Sequence, residues 1–400
     1  MNGPLRPRGA GVAVALGALL LVALALLAFA APFARPRPEA SERAAYDPVQ
    51  AGFAFARAPY RFAFPRDHFA HDAYATEWWY FTGHLRTASG RRFGYELTFF
   101  RFGIAPGDPK LRPGQSRWRG HELFAAHFAI TDAQGPRFVY AERTAREALG
   151  MGGASQQRLA VWVFDWRLDG HALADPRLEQ MYLQATYRAT GGRDALALRL
   201  TAARPPAING IDGLSRKGAC ASCASHYYSY TRLRTTGALV YDGRSFPVQG
   251  LTWMDHEFGS SELQSGQVGW DWFSIQLDDG RALMLYRLRE RDGSVTPQSS
   301  GSLIERDGHV VHLPLAAFDV RATGTWTSAR TGARYPSGWL VTVPAAHLRL
   351  TLVPVVRDQE LAERGGISYW EGDVDVRAAS GRPLGVGYVE LTGYASPLSM

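Results

Sequence analysis

From about residue 60 onward, apolar and polar positions alternate in short runs separated by glycine-bearing turns. Alternation with a period of two is the signature of a strand with two unlike faces. TEWWYFTGHL (Thr76–Leu85) and FGYELTFFRF (Phe93–Phe102), joined at Ser89-Gly90, predict a hairpin. Trp270–Leu277 and Arg281–Arg289 around Asp279-Gly280 predict a second, Asp-Gly being a strong hairpin turn. Tyr369–Arg377 and Gly385–Tyr394 around Ser380-Gly381 predict a third. A period of 3.6 is sustained nowhere for long. One short helix is expected, near Ala141–Leu149.

The first two hairpins resemble each other. Trp78, Tyr80, Phe81, Thr82 and Leu85 answer Trp270, Trp272, Phe273, Ser274 and Leu277 without a gap, and Ser-Gly-Arg answers Asp-Gly-Arg at the turn. This predicts two related units joined near Arg234–Gly237. Up-and-down strands without helices must close or pair their edges, which favours barrels. The expected fold class is all-β, with two antiparallel β-barrel domains in tandem at 60–235 and 236–400. A barrel of about eight strands leaves room for one small ligand.

Composition adds compartment and excludes some classes. Arg6 and Arg8 precede an uninterrupted small and apolar run, Ala10–Ala31, ending in Ala28-Phe29-Ala30. Residues 1–34 therefore read as a cleaved secretory signal or an uncleaved membrane anchor, with the body translocated and periplasmic in either case. Residues 35–59, rich in Pro, Ala and Arg, read as a linker. The net charge of +7 is spread through the chain without a basic helix or zinc-finger spacing, so no nucleic-acid partner is expected. Cys220 and Cys223 are the only cysteines. In an exported protein they are a candidate small-loop disulfide, with a redox or metal role as the alternative.

The chemistry concentrates in Leu251–Arg289. Asp255, His256, Glu257 and Asp271 stand there among Trp253, Phe258, Trp270 and Trp272. Ionisable groups beside an aromatic wall suit a pocket for an apolar ligand. If Leu251–Phe258 is extended, Trp253, Asp255 and Glu257 point one way and Met254, His256 and Phe258 the other. In the next strand Trp270, Trp272, Ser274 and Gln276 oppose Asp271, Phe273 and Ile275. A carboxylic acid kept protonated by burial can protonate a carbon–carbon double bond. Aromatic faces then stabilise the carbocation by roughly 0.5–2 kcal/mol each. The alternative for Asp255-His256-Glu257 is a structural anchor paired with arginines. Glu77, Trp78, Trp79, Tyr80, Trp370 and Glu371 are further candidates for ligand contact, with wall, core or ion-pair roles as the alternatives. No phosphate-cradling loop, HExxH or G-x-S-x-G occurs, and no metal or other cofactor is expected.

These residues carry a resemblance. EWWYFTGHL (Glu77–Leu85), YYSYTRL (Tyr227–Leu233), WMDHEFG (Trp253–Gly259), GWDWFSIQL (Gly269–Leu277), YWEG (Tyr369–Gly372) and GYVELTGY (Gly387–Tyr394) resemble the family joining carotenoid 1,2-hydratases with AttH-type exported proteins. The resemblance covers about residues 50–397. It implies two lipocalin-like β-barrels, with Trp253, Asp255, His256, Glu257, Trp270 and Asp271 lining the site. It further implies either a cofactor-independent hydro-lyase or a non-catalytic carrier of lipid or lipoprotein working with an ABC transporter permease. The expected partners are an apolar small molecule or lipid, and the membrane through the N-terminal segment. As an enzyme, Asp255 or Asp271 would be the general acid, with His256 or Glu257 orienting water.

Overall fold

The computed structural model describes residues 52–106, 116, 120–135, 137–173, 179–189, 192–261, 263–362 and 368–398. The expected signal or anchor at 1–34, and the linker as far as residue 51, lie outside them. The remainder of the expected linker belongs to the folded body, because Phe53 and Ala56 are buried and Ala54 is hydrogen-bonded to Ala73.

Two large antiparallel sheets hold almost all the regular structure, with no α-helix among the described residues. The first opens with the hairpin Thr76–Arg86 and Arg92–Gly103, as the alternation predicts. Its opening strand also pairs along its length with Arg244–Ser261, the last strand of that sheet. The two edges approach at Gly152, where a β-carbon would meet Phe124 at 3.0 Å and Ala145 at 3.2 Å. A larger residue there would require those neighbours to give by a few tenths of an ångström. The sheet is therefore a nearly closed barrel.

The second sheet repeats the plan as a half-barrel. Gln267–Leu277 pairs with Ala282–Glu290 on one side and with the closing strand Pro383–Leu391 on the other. Each of the two similar hairpins thus opens its own sheet and meets its last strand, as duplication requires. Tyr369–Arg377 and Pro383–Leu391 form the third hairpin.

Two expectations change. The strand Ala224–Tyr241 runs straight through Arg234–Gly237, turns at Asp242-Gly243 and returns as Arg244–Ser261. Both turn residues have positive φ, the geometry of a tight hairpin. The sheets divide between Ser261 and Gln267, one long hairpin later than the junction read at 235/236. Ala141–Leu149 is not a helix: its first part lies in the strand Arg137–Arg146, which pairs with Glu122–Asp132, and a single 3-10 turn follows at Ala148–Gly150. Pairing at an open ladder edge outweighs the helix propensity of alanine, glutamate and arginine, although all three are good helix formers.

Strand alternation sorts most of the apolar side chains into three main cores, beside a small cluster of Ala56, Leu214 and Ala224. Trp79, Phe81, Phe99 and Met254 fill the first barrel. Phe273, Ile275, Trp339 and Trp370 fill the half-barrel. Tyr80, Tyr227, Trp253, Trp272, Tyr286 and Tyr388 form a third layer packed between the sheets.

Candidate active site

WMDHEFG lies in the strand Arg244–Ser261, and the expected alternation holds. Trp253, Asp255 and Glu257 face the layer between the sheets, whereas Met254 and His256 face the barrel interior. One run of seven residues therefore serves two separate chemical environments.

On the inter-sheet side Asp255 is 3% exposed. Its Oδ1 accepts hydrogen bonds from Ser229 Oγ at 2.6 Å and Trp253 Nε1 at 2.7 Å, and its Oδ2 accepts one from Tyr227 OH at 2.7 Å. Tyr227 OH accepts in turn from Trp272 Nε1 at 3.1 Å. Burial pushes the Asp255 carboxyl up to about 7, against the opposing pull of its three donors. Tyr80 stands edge-on to Trp272 and donates a 2.7 Å hydrogen bond to Glu371 Oε1. Burial, then the charges of Glu96 and Glu390, hold Glu371 well above the ordinary carboxyl range. Glu96 is pushed by burial up to about 7 while accepting from Thr98 Oγ1 and Tyr369 OH. Glu390 keeps some exposure, accepts from Trp270 Nε1 at 2.8 Å and is pushed by burial up to about 8. Among the described residues, Oε2 of Glu96 and Oε2 of Glu371 have no donor.

The other candidates separate. Glu257 is buried on the same side, paired with Lys217 Nζ at 2.8 Å and bonded to Ser225 Oγ. Lys217 lies 4.1 Å from the Tyr286 ring centre. Asp271 does not join Asp255: it faces away from Trp270 and Trp272 and binds Arg289 Nε at 2.9 Å and Tyr394 OH at 2.8 Å. Trp370 belongs to the half-barrel core, beside Trp339, with its Nε1 on the Arg357 carbonyl. Trp78 and Trp270 are partly exposed where the inter-sheet layer reaches the surface. Cys220 and Cys223 are joined as a disulfide.

The barrel-facing side is polar and tightly paired. Glu77 Oε1 accepts from His71 Nδ1 and His256 Nε2, both at 2.8 Å, and its Oε2 accepts from Arg101 Nε at 2.9 Å. Burial opposes ionisation of Glu77, but the charges of His71 and Arg101 outweigh it and hold the carboxyl far below its usual range. Burial lowers His256. His71, Glu77 and His256 bring three ligand-type atoms within 4.8 Å of one another. Trp79 stacks on His256, so Trp79 and Glu77 belong to this inner set and not to the layer with Tyr80.

The AttH-like family model matches residues 56–394. The chain belongs to the AttH-like family. A crystal structure of a protein assigned as AttH from Nitrosomonas europaea is 32% identical, with a TM-score of 0.75 over 86% of this chain and 99% of that one. Kievitone hydratase from Nectria haematococca superposes with a TM-score of 0.60 over 86% and 96% of the two chains. At 15% identity that likeness concerns the fold. A search of curated protein sequences returns no match.

Several residues of this AttH-like protein's site escape sequence reading. Tyr227 and Ser229 lie in the YYSYTRL motif, but their role as donors to Asp255 depends on cross-strand register, with Ser229 directly opposite Asp255. Glu96 had a signal, being a lone acid inside the apolar run FGYELTFF. Glu390 sat unassigned inside GYVELTGY. Together the inter-sheet groups make a layer of aromatic faces around several carboxyls that burial holds above their ordinary range.

Proposed function

We propose that this protein binds an apolar, unsaturated molecule against the aromatic layer between its sheets and adds water across a carbon–carbon double bond. The observation that carries the reading is the position of Asp255, a buried carboxyl flanked by Trp253 and tied through Tyr227 to Trp272. Asp255 gives its proton to one alkene carbon, and the positive charge develops on the other. The faces of Trp253 and Trp272 stabilise that charge by cation–π attraction. Water then bonds to the cationic carbon and its surplus proton returns to Asp255, directly or through Tyr227. Substrate and water are consumed, one alcohol forms, and the protein is unchanged. The shared fold with kievitone hydratase supports the reaction class. The partly exposed Trp78 and Trp270 mark the entry. The basic start and apolar run Ala10–Ala31 support export, so the site works outside the cytoplasm.

The test is incubation of the purified protein with linear isoprenoid polyenes and other apolar alkenes, with mass detection of added water. Asp255→Asn is expected to lower turnover by about 10²–10⁴-fold while ligand binding persists. Wild-type protein that hydrates none of them yet retains a lipid through purification would replace this reading with that of a non-catalytic carrier.

A further inference from the structure

We propose that His71, Glu77 and His256 form a site for one borderline divalent cation, of the Zn²⁺ or Co²⁺ class, inside the first barrel. The site is separate from the inter-sheet layer, and the inference does not rest on the hydration reading.

The three ligand atoms converge on one point from three parts of the chain. His71 comes from the segment before the opening strand, Glu77 from that strand and His256 from the last strand of the sheet. His71 Nδ1 and His256 Nε2 each lie 2.8 Å from the same oxygen, Glu77 Oε1. Ligand atoms around a tetrahedral cation with bonds of about 2.0–2.1 Å stand roughly 3.3 Å apart, so the two nitrogen–oxygen edges must open by about half an ångström while the nitrogen–nitrogen edge, within 4.8 Å, adjusts to the same spacing. Two imidazoles and one carboxylate are a common set for such ions and leave a fourth position for water.

The surroundings are those that orient metal ligands. The outer nitrogen of each histidine faces an oxygen: Asp67 Oδ1 stands 3.5 Å from His71 Nε2, and Tyr228 OH stands 2.9 Å from His256 Nδ1. These contacts direct the inner nitrogens toward Glu77. Both rings are pinned, His71 stacked on Phe258 at 3.6 Å between centres and His256 on Trp79 at 4.9 Å. Arg101 occupies Glu77 Oε2 and also bonds the carbonyls of His71 and Tyr74, which leaves Oε1 as the converging atom. Glu77 and His256 are fully buried, and the His71 side chain is 13% exposed, giving a way in.

Without an ion the same atoms form a satisfied network of hydrogen bonds, and that is the competing explanation. The experiment is titration of chelator-stripped full-length protein with Zn²⁺ and with Co²⁺. The readouts are bound metal by elemental analysis, the visible Co²⁺ spectrum and the shift in Tm. Wild type is expected to take up one equivalent, with a Co²⁺ spectrum of low coordination number and a raised Tm. His71→Ala, on the partly exposed segment, is expected to lower affinity by more than about 100-fold, and Asp67→Asn by about 10–100-fold, the scale for an orienting partner. Circular dichroism identifies any variant that fails to fold, and Glu77→Gln serves as the isosteric second variant. Wild type that binds neither ion at one equivalent overturns the proposal. So does unchanged binding in folded His71→Ala and Glu77→Gln.

Discussion

Tyr80 donates a 2.7 Å hydrogen bond to Glu371, 291 residues away in sequence, and the bond crosses from the first sheet to the second. Among the described residues no other donor reaches that carboxyl, which is wholly buried and whose other oxygen has no partner among them. The two sheets are thus held together by polar pairing as well as by the aromatic layer around Trp272.

Tyr80→Phe removes that donor while keeping the ring against Trp272. The cost expected is that of leaving a buried acceptor unmet, about 1–3 kcal/mol, read as a lower urea midpoint with an unchanged slope. A midpoint equal to wild type would show that the bond adds nothing net.

Asp255 and Asp271 are expected to part company on substitution. Asp271→Asn breaks a buried pair with Arg289 and costs about 3–5 kcal/mol, but leaves ligand affinity and water addition unaffected, since its side chain faces away from the aromatic layer. Asp255→Asn is expected to lose water addition while stability and ligand affinity are kept. Chemical unfolding and product formation, measured on both variants, check this. Equal loss of turnover in the two would place Asp271 in the site after all.

Trp370 and Trp272 make a similar contrast. Trp370→Ala empties a well-packed position in the half-barrel core beside Trp339, at about 3–5 kcal/mol, with ligand affinity retained. Trp272→Ala removes a face of the binding layer and is expected to weaken ligand binding at least tenfold in a fluorescence titration.

Glu96 is one of several buried carboxyls, with Asp255, Glu371 and Glu390, that make stability depend on pH. Its carboxyl, ordinarily near 4.5, lies at about 7 in the fold because it is buried. Between these values the folded state binds more protons than the unfolded one, so stability falls as pH rises through that window and levels off above it. The span corresponds to an effect on the order of 3 kcal/mol. Urea midpoints between pH 4.5 and 8 are expected to fall across the window for wild type and to fall less for Glu96→Gln. An identical slope in the variant would assign the dependence to other groups.

The sequence by itself determined the local structure. The three hairpins stand where Ser89-Gly90, Asp279-Gly280 and Ser380-Gly381 place them, and Asp255 and His256 point to opposite faces. These features depend on a period of two and on turn chemistry, both local properties. It also carried the family, because WMDHEFG and GWDWFSIQL are contiguous motifs.

What faces each side chain was decided only in three dimensions. Asp255 and Asp271 look like equivalent acids beside tryptophans, yet one meets Tyr227 and Ser229 while the other meets Arg289 and Tyr394. Trp370 looks like Trp272 and lies in a different core. The period of a strand gives the direction of a side chain but not its environment. That environment is set by strand register and by the packing of one sheet on another, between residues from 18 to 291 positions apart.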